Sequence, residues 1–584
     1  MALIVPNTVP FSCSVEPNKT SMSFRSDFLC PITSSRTQKN AKKFIASYGY
    51  APVSTPLETS NDQISDYICV ADEEKMVKKK LRSTLSEKGE PTLETLEMVD
   101  AIQRLSIEHH VFIEIKETLR KLHMQRHRYN YHGRDLREVS LCFRLLRQEG
   151  YHVSAESLFG DFQDKDRGFK GELENDIKGL LELFEASQLS IEGEDILENA
   201  REFAGNNLVR LSLIRESYQG RVITDVLHKP YHKTLSRITA KRFIEVIDVV
   251  HGGKEWLQSL LQVAEIDQSL LKTLHQEEAS IILKWWRELG LTGEVRKARD
   301  QPLKWHAWTV AVNQDPGLSQ LRVAMAKVIP LVYILDDIFD VYGGIDELTI
   351  FTQVVERWNY GDLEKLPNHM KVFFKTLDMI TMEISHKIYK EHGWNPIKSL
   401  QKSWARLCEA FLVEARWFES GYLPNKEEYL ENGIVSSGVH LVMLHFFYLL
   451  GEEITDEKAE LMENNPKIVS SVATILRLHD DLGSAKDEKQ DGFDGSYVRC
   501  YVNQHQGSTV EEARTHSLQM ISEAWKRLNE ECLNPNPFSG SSFAKACLNV
   551  ARTVPLMYTY DGDHRLPGLD DYLKSLVSDR FNPC

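Results

Sequence analysis

The chain has 584 residues, 27% of them charged and 42% hydrophobic, with 70 basic against 85 acidic side chains. At roughly 150 residues per domain that is about two to four domains, each able to bury a core. The net charge of −15 argues against a surface for nucleic acid or anionic membrane, which select for Lys and Arg, but leaves open an anionic small molecule held through metal ions.

Residues 1–50 contain 12 Ser or Thr and six Lys or Arg, with only Glu16 and Asp27 as acids. A basic, hydroxyl-rich, acid-poor leader has the composition of an organelle transit peptide, and it lacks the apolar stretch of a secretory signal. The competing reading is an ordinary disordered tail. Acids then follow in quick succession from Glu58 to Glu74.

Beyond residue 70, apolar residues recur at helical spacing. Leu141, Leu145 and Leu146 form one stripe, and Ile177, Leu180, Leu181 and Phe184 form another. Alternating strand-like runs are few, and G-x-G-x-x-G, P-loop and G-x-S-x-G motifs are absent. The expectation is an all-α protein. No short-period repeat is evident. All ten Trp lie from Trp256 onward, which suggests a boundary near 258. That gives a leader at 1–50, a helical domain at 51–258 and a second helical domain at 259–584. No long Gly/Ser/Pro linker separates the two domains, so they are expected to pack together. Nine cysteines without a C-x-x-C pair suggest neither a disulfide framework nor a zinc site. The apolar stretches Val328–Leu335 and Val439–Leu450 are shorter than the roughly 18–20 residues a bilayer span requires, and read as buried core helices.

The first of these stretches ends in Asp336-Asp337-Ile-Phe-Asp340. On a helix, Asp336 and Asp340 lie one turn apart on one face, with Asp337 offset by about 100°. A solvated patch or a helix cap would be the bland reading. The preceding aliphatic run argues against it, because carboxylates ending a buried helix are costly unless paired or metal-bound. Carboxylate oxygens suit Mg²⁺, or Mn²⁺, rather than zinc, and Mg²⁺ commonly bridges carboxylates to substrate phosphates. About 140 residues on, Asp480, Ser484 and Glu488 are spaced i, i+4, i+8, with Arg477 about one turn earlier. Alone this could be an ion-paired surface helix. Together, two oxygen-ligand helices facing across a bundle can hold Mg²⁺ ions with a diphosphate between them.

These two motifs resemble the D-D-x-x-D and D-D-x-x-S-x-x-x-E motifs of the plant class I terpene synthases. The likeness extends over most of the chain, including Leu141–Phe159, Trp285-Trp286 and Ala551–Tyr558. It implies an N-terminal α-barrel-like domain and a C-terminal catalytic helical bundle, acting as a monomer on a small-molecule prenyl diphosphate. It also implies that Asp336, Asp337 and Asp340 ligate two Mg²⁺ while Asp480, Ser484 and Glu488 ligate a third. By the same resemblance Arg477 and Arg299 bind diphosphate, with Asp336, Asp340 and Asp480 at the substrate. Trp308, Tyr558 and Asp563 match active-site positions, with simple core packing as the competing reading for Trp308 and Tyr558. Gln301 stands where the family has a second arginine. Ser436-Ser437-Gly438 is either a pocket-lining helix break or an ordinary helix start.

Two departures narrow the product. The chain has no Arg-Arg pair and no Trp before 256, so the R-R-x8-W motif of many cyclising monoterpene synthases is missing. That absence, with the Ala298–Trp305 segment, resembles the subfamily making acyclic tertiary alcohols, linalool and nerolidol. A cyclising synthase is the alternative. A chain-elongating prenyl diphosphate synthase fits less well, because its second motif is also of the D-D-x-x-D type. The class II motif D-x-D-D is absent as well, so the N-terminal domain is expected to be structural. A plastid location follows from the leader together with the family, with the cytoplasm as alternative.

Overall fold

The computed structural model describes residues 92–125, 134–214, 218–296, 298–484, 496–560 and 566–577, with Lys75, Val77 and Lys79 before them. The leader assigned to 1–50, Glu488 and Asp563 lie outside the described residues. The described chain is helical, as expected, and its one β-contact is an isolated bridge between Gln163 and Phe169.

The N-terminal core is built on helices α1 (Leu136–Gln148), α2 (Ile177–Ser187) and α3 (Asp195–Ile214). The Asp135 carboxylate accepts from the Glu138 amide (2.8 Å) to start α1, and Asp176 does the same for Gly179 (3.0 Å) at α2. Leu141, Leu145, Leu146 and Leu180 are buried where their spacing places them. Two arginines of α1 are buried among them. Arg144 pairs with Asp100 (2.7 Å) and Glu182 (3.0 Å). Arg147 pairs with Glu194 and donates to the carbonyls of Val153 (2.8 Å) and Leu189 (2.9 Å).

The 33-residue helix α4 (Leu257–Leu289) connects this core to the next. Leu257, Leu260, Val263 and Ala264 join the N-terminal cluster, whereas Ala279 and Trp286 join the C-terminal one. The two halves also meet directly. Asn529 donates to the carbonyls of Gln188 (3.1 Å) and Ser190 (3.0 Å), and its Oδ1 accepts from His232 Nε2 (2.8 Å). Burial, then the Arg552 charge, holds His232 down to about 3, so it is a neutral donor here.

Six helices of the C-terminal bundle position the site. They are α5 (Pro302–Val312), α6 (Ser319–Asp337), the pair α7 (Lys426–Ser436) and α8 (Val439–Leu450), α9 (Lys467–Ser484) and α10 (Ser542–Tyr558). Pro302 opens α5, where its fixed φ suits the first turn and its missing N–H costs nothing. The stretches Pro316–Tyr342 and Lys426–Leu450 are apolar enough for a bilayer, but their most apolar windows are 61% and 72% buried inside the molecule. Their apolarity is accounted for by core packing.

Candidate active site

Helices α5, α6, α9, α10 and the α7–α8 junction surround a cavity of about 1080 Å³ including its open mouth. Trp308, Phe411, Val442, Leu476 and Val550 form apolar walls, while Arg299, Lys304, Asp336, Arg477 and Asp480 supply charge.

The first acidic cluster is organised by Arg299. Its backbone N–H donates to Asp337 Oδ2 (2.8 Å), and its Nε lies 2.9 Å from Asp337 Oδ1. Its Nη2 pairs with Asp336 and donates to the Tyr333 carbonyl (3.0 Å). Asp337 is buried and held by this arginine; burial raises its pKa and the Arg299 charge opposes the rise. Asp336 is half-buried and faces the cavity. α6 ends at Asp337, and the chain widens into a π-helical turn, Ile338–Tyr342, that carries Asp340. The one-turn α-helical spacing inferred for Asp336 and Asp340 therefore does not describe the backbone between them. Asp340 is exposed beside the cavity, within electrostatic reach of Asp336, Glu414 and Arg299. Such π-turns are frequent at functional sites.

The second cluster divides its two aspartates. Asp481 is buried, and its Oδ1 accepts from Arg477 Nε (3.0 Å), Arg477 Nη2 (2.7 Å) and the Tyr429 hydroxyl (2.8 Å). Its Oδ2 accepts from the Tyr497 amide (3.0 Å). Asp480 instead lines the cavity, 3.8 Å from Arg477 Nη2. Burial, opposed by Arg477, pushes Asp480 up to about 6, and the Asp336 charge acts on it across the cavity. The two acidic helices thus face the same space. Ser484 closes α9, but its side chain lies outside the described residues.

Aromatic groups complete the walls. Trp308 Nε1 donates to the Tyr333 hydroxyl (3.1 Å), which also interacts with Tyr558. Trp308 and Tyr558 both line the cavity. Between α7 and α8 the helix breaks at Ser437–Gly438, with Gly438 at φ +71°, and Ser436, Ser437 and Gly438 all reach the lining. Of the two readings of that tripeptide, the structure takes the helix break. Glu414 Oε1 pins it by accepting from Ser436 Oγ (2.6 Å) and Asn432 Nδ2 (3.1 Å). A Cβ on Gly438 would stand 2.8 Å from Val332 Cγ1, so the junction also sets how closely α6 approaches.

Four residues escaped the sequence reading. Tyr333 could have been found, being the one polar aromatic in an aliphatic run, three positions before Asp336. Lys304 left a similar trace as a lone cation within Pro302-Leu-Lys-Trp-His-Ala-Trp308. Tyr429 and Glu414 left none, because their partners lie 52 and 22 residues away.

Comparison with known proteins agrees with this geometry. The terpene synthase metal-binding domain matches residues 287–527, and the terpene synthase N-terminal domain matches residues 43–227. The chain is 54% identical to the chloroplastic S-(+)-linalool synthase of Arabidopsis thaliana, over 99% of this chain and all of that one. It is 47% identical to an (E)-nerolidol synthase of Cannabis sativa, over 84% of this chain and 89% of that one. In structure it resembles isoprene synthase from grey poplar leaves, solved with three Mg²⁺ ions and dimethylallyl-S-thiolodiphosphate. There the TM-score is 0.81 at 31% identity, over 90% of this chain and 100% of that one. With both of its domains matched and relatives alike along nearly their whole length, the chain belongs to the terpene synthase family.

Proposed function

We propose that this chain ionises geranyl diphosphate, farnesyl diphosphate or both, and that water captures the allylic cation at its tertiary carbon. The products are linalool or nerolidol, together with diphosphate. The observation that carries this reading is an aromatic-walled cavity with two acidic helices and two arginines converging on it. The similarity to a linalool and a nerolidol synthase supports the acyclic outcome. On this reading residues 259–584 are the catalytic domain and 51–258 its structural companion.

The donor set fits hard divalent cations. Asp336, Asp340 and Asp480 offer carboxylate oxygens only, and Asp480, raised first by burial and then by the charges of Asp481 and Asp336, stands on the cavity wall where a bound cation would favour its ionised form. Asp336, Asp337, Asp340, Asp480, Ser484 and Glu488 would hold three Mg²⁺, with Mn²⁺ as a substitute. Bound there, the ions would neutralise diphosphate and make it a leaving group. Arg299 and Arg477 donate to the diphosphate oxygens. Trp308, Tyr333 and Tyr558 supply aromatic walls that shelter the cation from bulk water, and Asp563 is assigned to the same site by family position. Positive charge on the tertiary carbon as well as on C1 allows water to end the reaction before the chain folds back. The enzyme is read as a monomer of the plastid, with residues 1–50 as its transit peptide.

Supplying each diphosphate separately with Mg²⁺ and resolving products by chiral gas chromatography tests the reading. Mainly linalool from the first and nerolidol from the second is expected. Mainly cyclic hydrocarbons would overturn the acyclic outcome, and a longer diphosphate formed with added isopentenyl diphosphate would point to chain elongation.

A further inference from the structure

Lys304 is an unpaired charge in a cavity whose other cations are paired. It stands in the first turn of α5, lines the cavity and holds its ammonium 6.0 Å from the centre of the Tyr333 ring. Among the described residues its ammonium makes no hydrogen bond and no ion pair. Arg299 is already engaged by Asp336 and Asp337, and Arg477 by Asp481. Lys304 instead feels Asp480 at longer range and is repelled by Arg299. Burial, then that repulsion, pulls its ammonium down to about 8, so it is still mostly charged at neutral pH. Gln301, one turn earlier on the same segment, carries no charge.

Holding an ammonium in a partly apolar cavity without a counter-ion in contact costs free energy, and an arriving anion recovers that cost. The group is flexible, compact and able to donate three hydrogen bonds, which suits a phosphate oxygen whose position shifts as a bond breaks.

We propose that Lys304 is a further substrate-binding residue, donating to the diphosphate as it departs. The inference rests on the prenyl diphosphate reading above. As the C1–O bond breaks, its electron pair stays on the diphosphate oxygen and the positive charge stays on the allyl group. Lys304 then holds the anion on the α5 wall, where Arg299 is partly committed to carboxylates.

The test uses the full-length protein, wild type and the variants K304M and K304R, with inorganic diphosphate and Mg²⁺ in a calorimeter. Inhibition of geranyl diphosphate turnover by inorganic diphosphate is measured alongside. Diphosphate affinity is expected to weaken about tenfold or more in K304M, as for loss of one charge-assisted hydrogen bond, and to return largely in K304R. The thermal shift with Mg²⁺ alone is expected to match wild type, which a merely structural defect would not allow. Wild-type diphosphate affinity in K304M would overturn the assignment. Absence of any prenyl diphosphate turnover by the wild-type protein would instead overturn the parent reading, and calorimetry would still read Lys304.

Discussion

The two cores of this molecule bury the same kinds of charged side chain and use them differently. In the N-terminal core each buried arginine named above is answered within the fold: Arg144 by Asp100 and Glu182, Arg147 by Glu194 and two carbonyls. In the C-terminal core the answering is incomplete. Asp337 and Asp481 are buried and tied to arginines, but Asp336, though paired with Arg299, and Asp480 face a cavity, and Lys304 has no counter-charge closer than the longer-range Asp480. A closed network specifies a fold, whereas an open one of mixed sign is poised for a charged ligand.

The comparison can be broken at either end. Replacing Arg144 by Met takes a fully buried arginine partner from Asp100 and Glu182 and leaves them to Arg104, and is expected to cost about 3 kcal/mol of stability. A large drop in the urea midpoint checks it, with turnover per folded molecule little changed. Replacing Asp336 by Asn should do the reverse. Turnover of prenyl diphosphate falls by about 10²–10³ or more while the urea midpoint moves little, because Asp336 is half-buried and its charge serves the cavity. Full activity in Asp336→Asn would end the parallel.

A smaller effect is expected at the helix break. Gly438→Ala places a side chain at φ +71° and 2.8 Å from Val332, for about 1–3 kcal/mol of strain. The measurements are thermal stability and product ratio, since the same shift moves α6 against the cavity. The smallest effect concerns pH. The folded pKa of Asp480, about 6, lies above its ordinary value of 3.8. The ion-free folded protein therefore keeps a proton that the unfolded chain has lost between those pH values, and this group's contribution to stability falls as pH rises through that window. Divalent cations bind the ionised form and remove the penalty, so Mg²⁺ should raise Tm by more at pH 8 than at pH 5. An equal shift at both would show that Asp480 does not take part.

How much of this was legible in the sequence follows from the range of each interaction. The helical class was readable because stripes such as Leu141, Leu145 and Leu146 carry the period of the backbone itself. The acidic motifs were readable because their residue types declare their chemistry. What spacing could not show was the division of labour within each Asp-Asp pair. Asp336 and Asp337 differ because Arg299, 37 and 38 residues away, touches Asp336 through one guanidinium nitrogen but holds the buried Asp337 through its backbone N–H and Nε, and Asp481 differs from Asp480 because Tyr429 and Tyr497 claim it. The π-turn after Asp337 was equally hidden, since no residue type announces it. Buried histidine clusters teach the same lesson. His275, Glu278 and His306 converge like metal ligands, yet Glu278 is already claimed by Arg322 at 2.7 Å.

Turnover of geranyl diphosphate in water enriched in ¹⁸O, with products weighed by gas chromatography and mass spectrometry, tests the central claim most directly. The account predicts linalool carrying solvent oxygen, because the C1–O bond breaks to release diphosphate and water adds at the tertiary carbon. Linalool without the label, or cyclic hydrocarbons in its place, would contradict it.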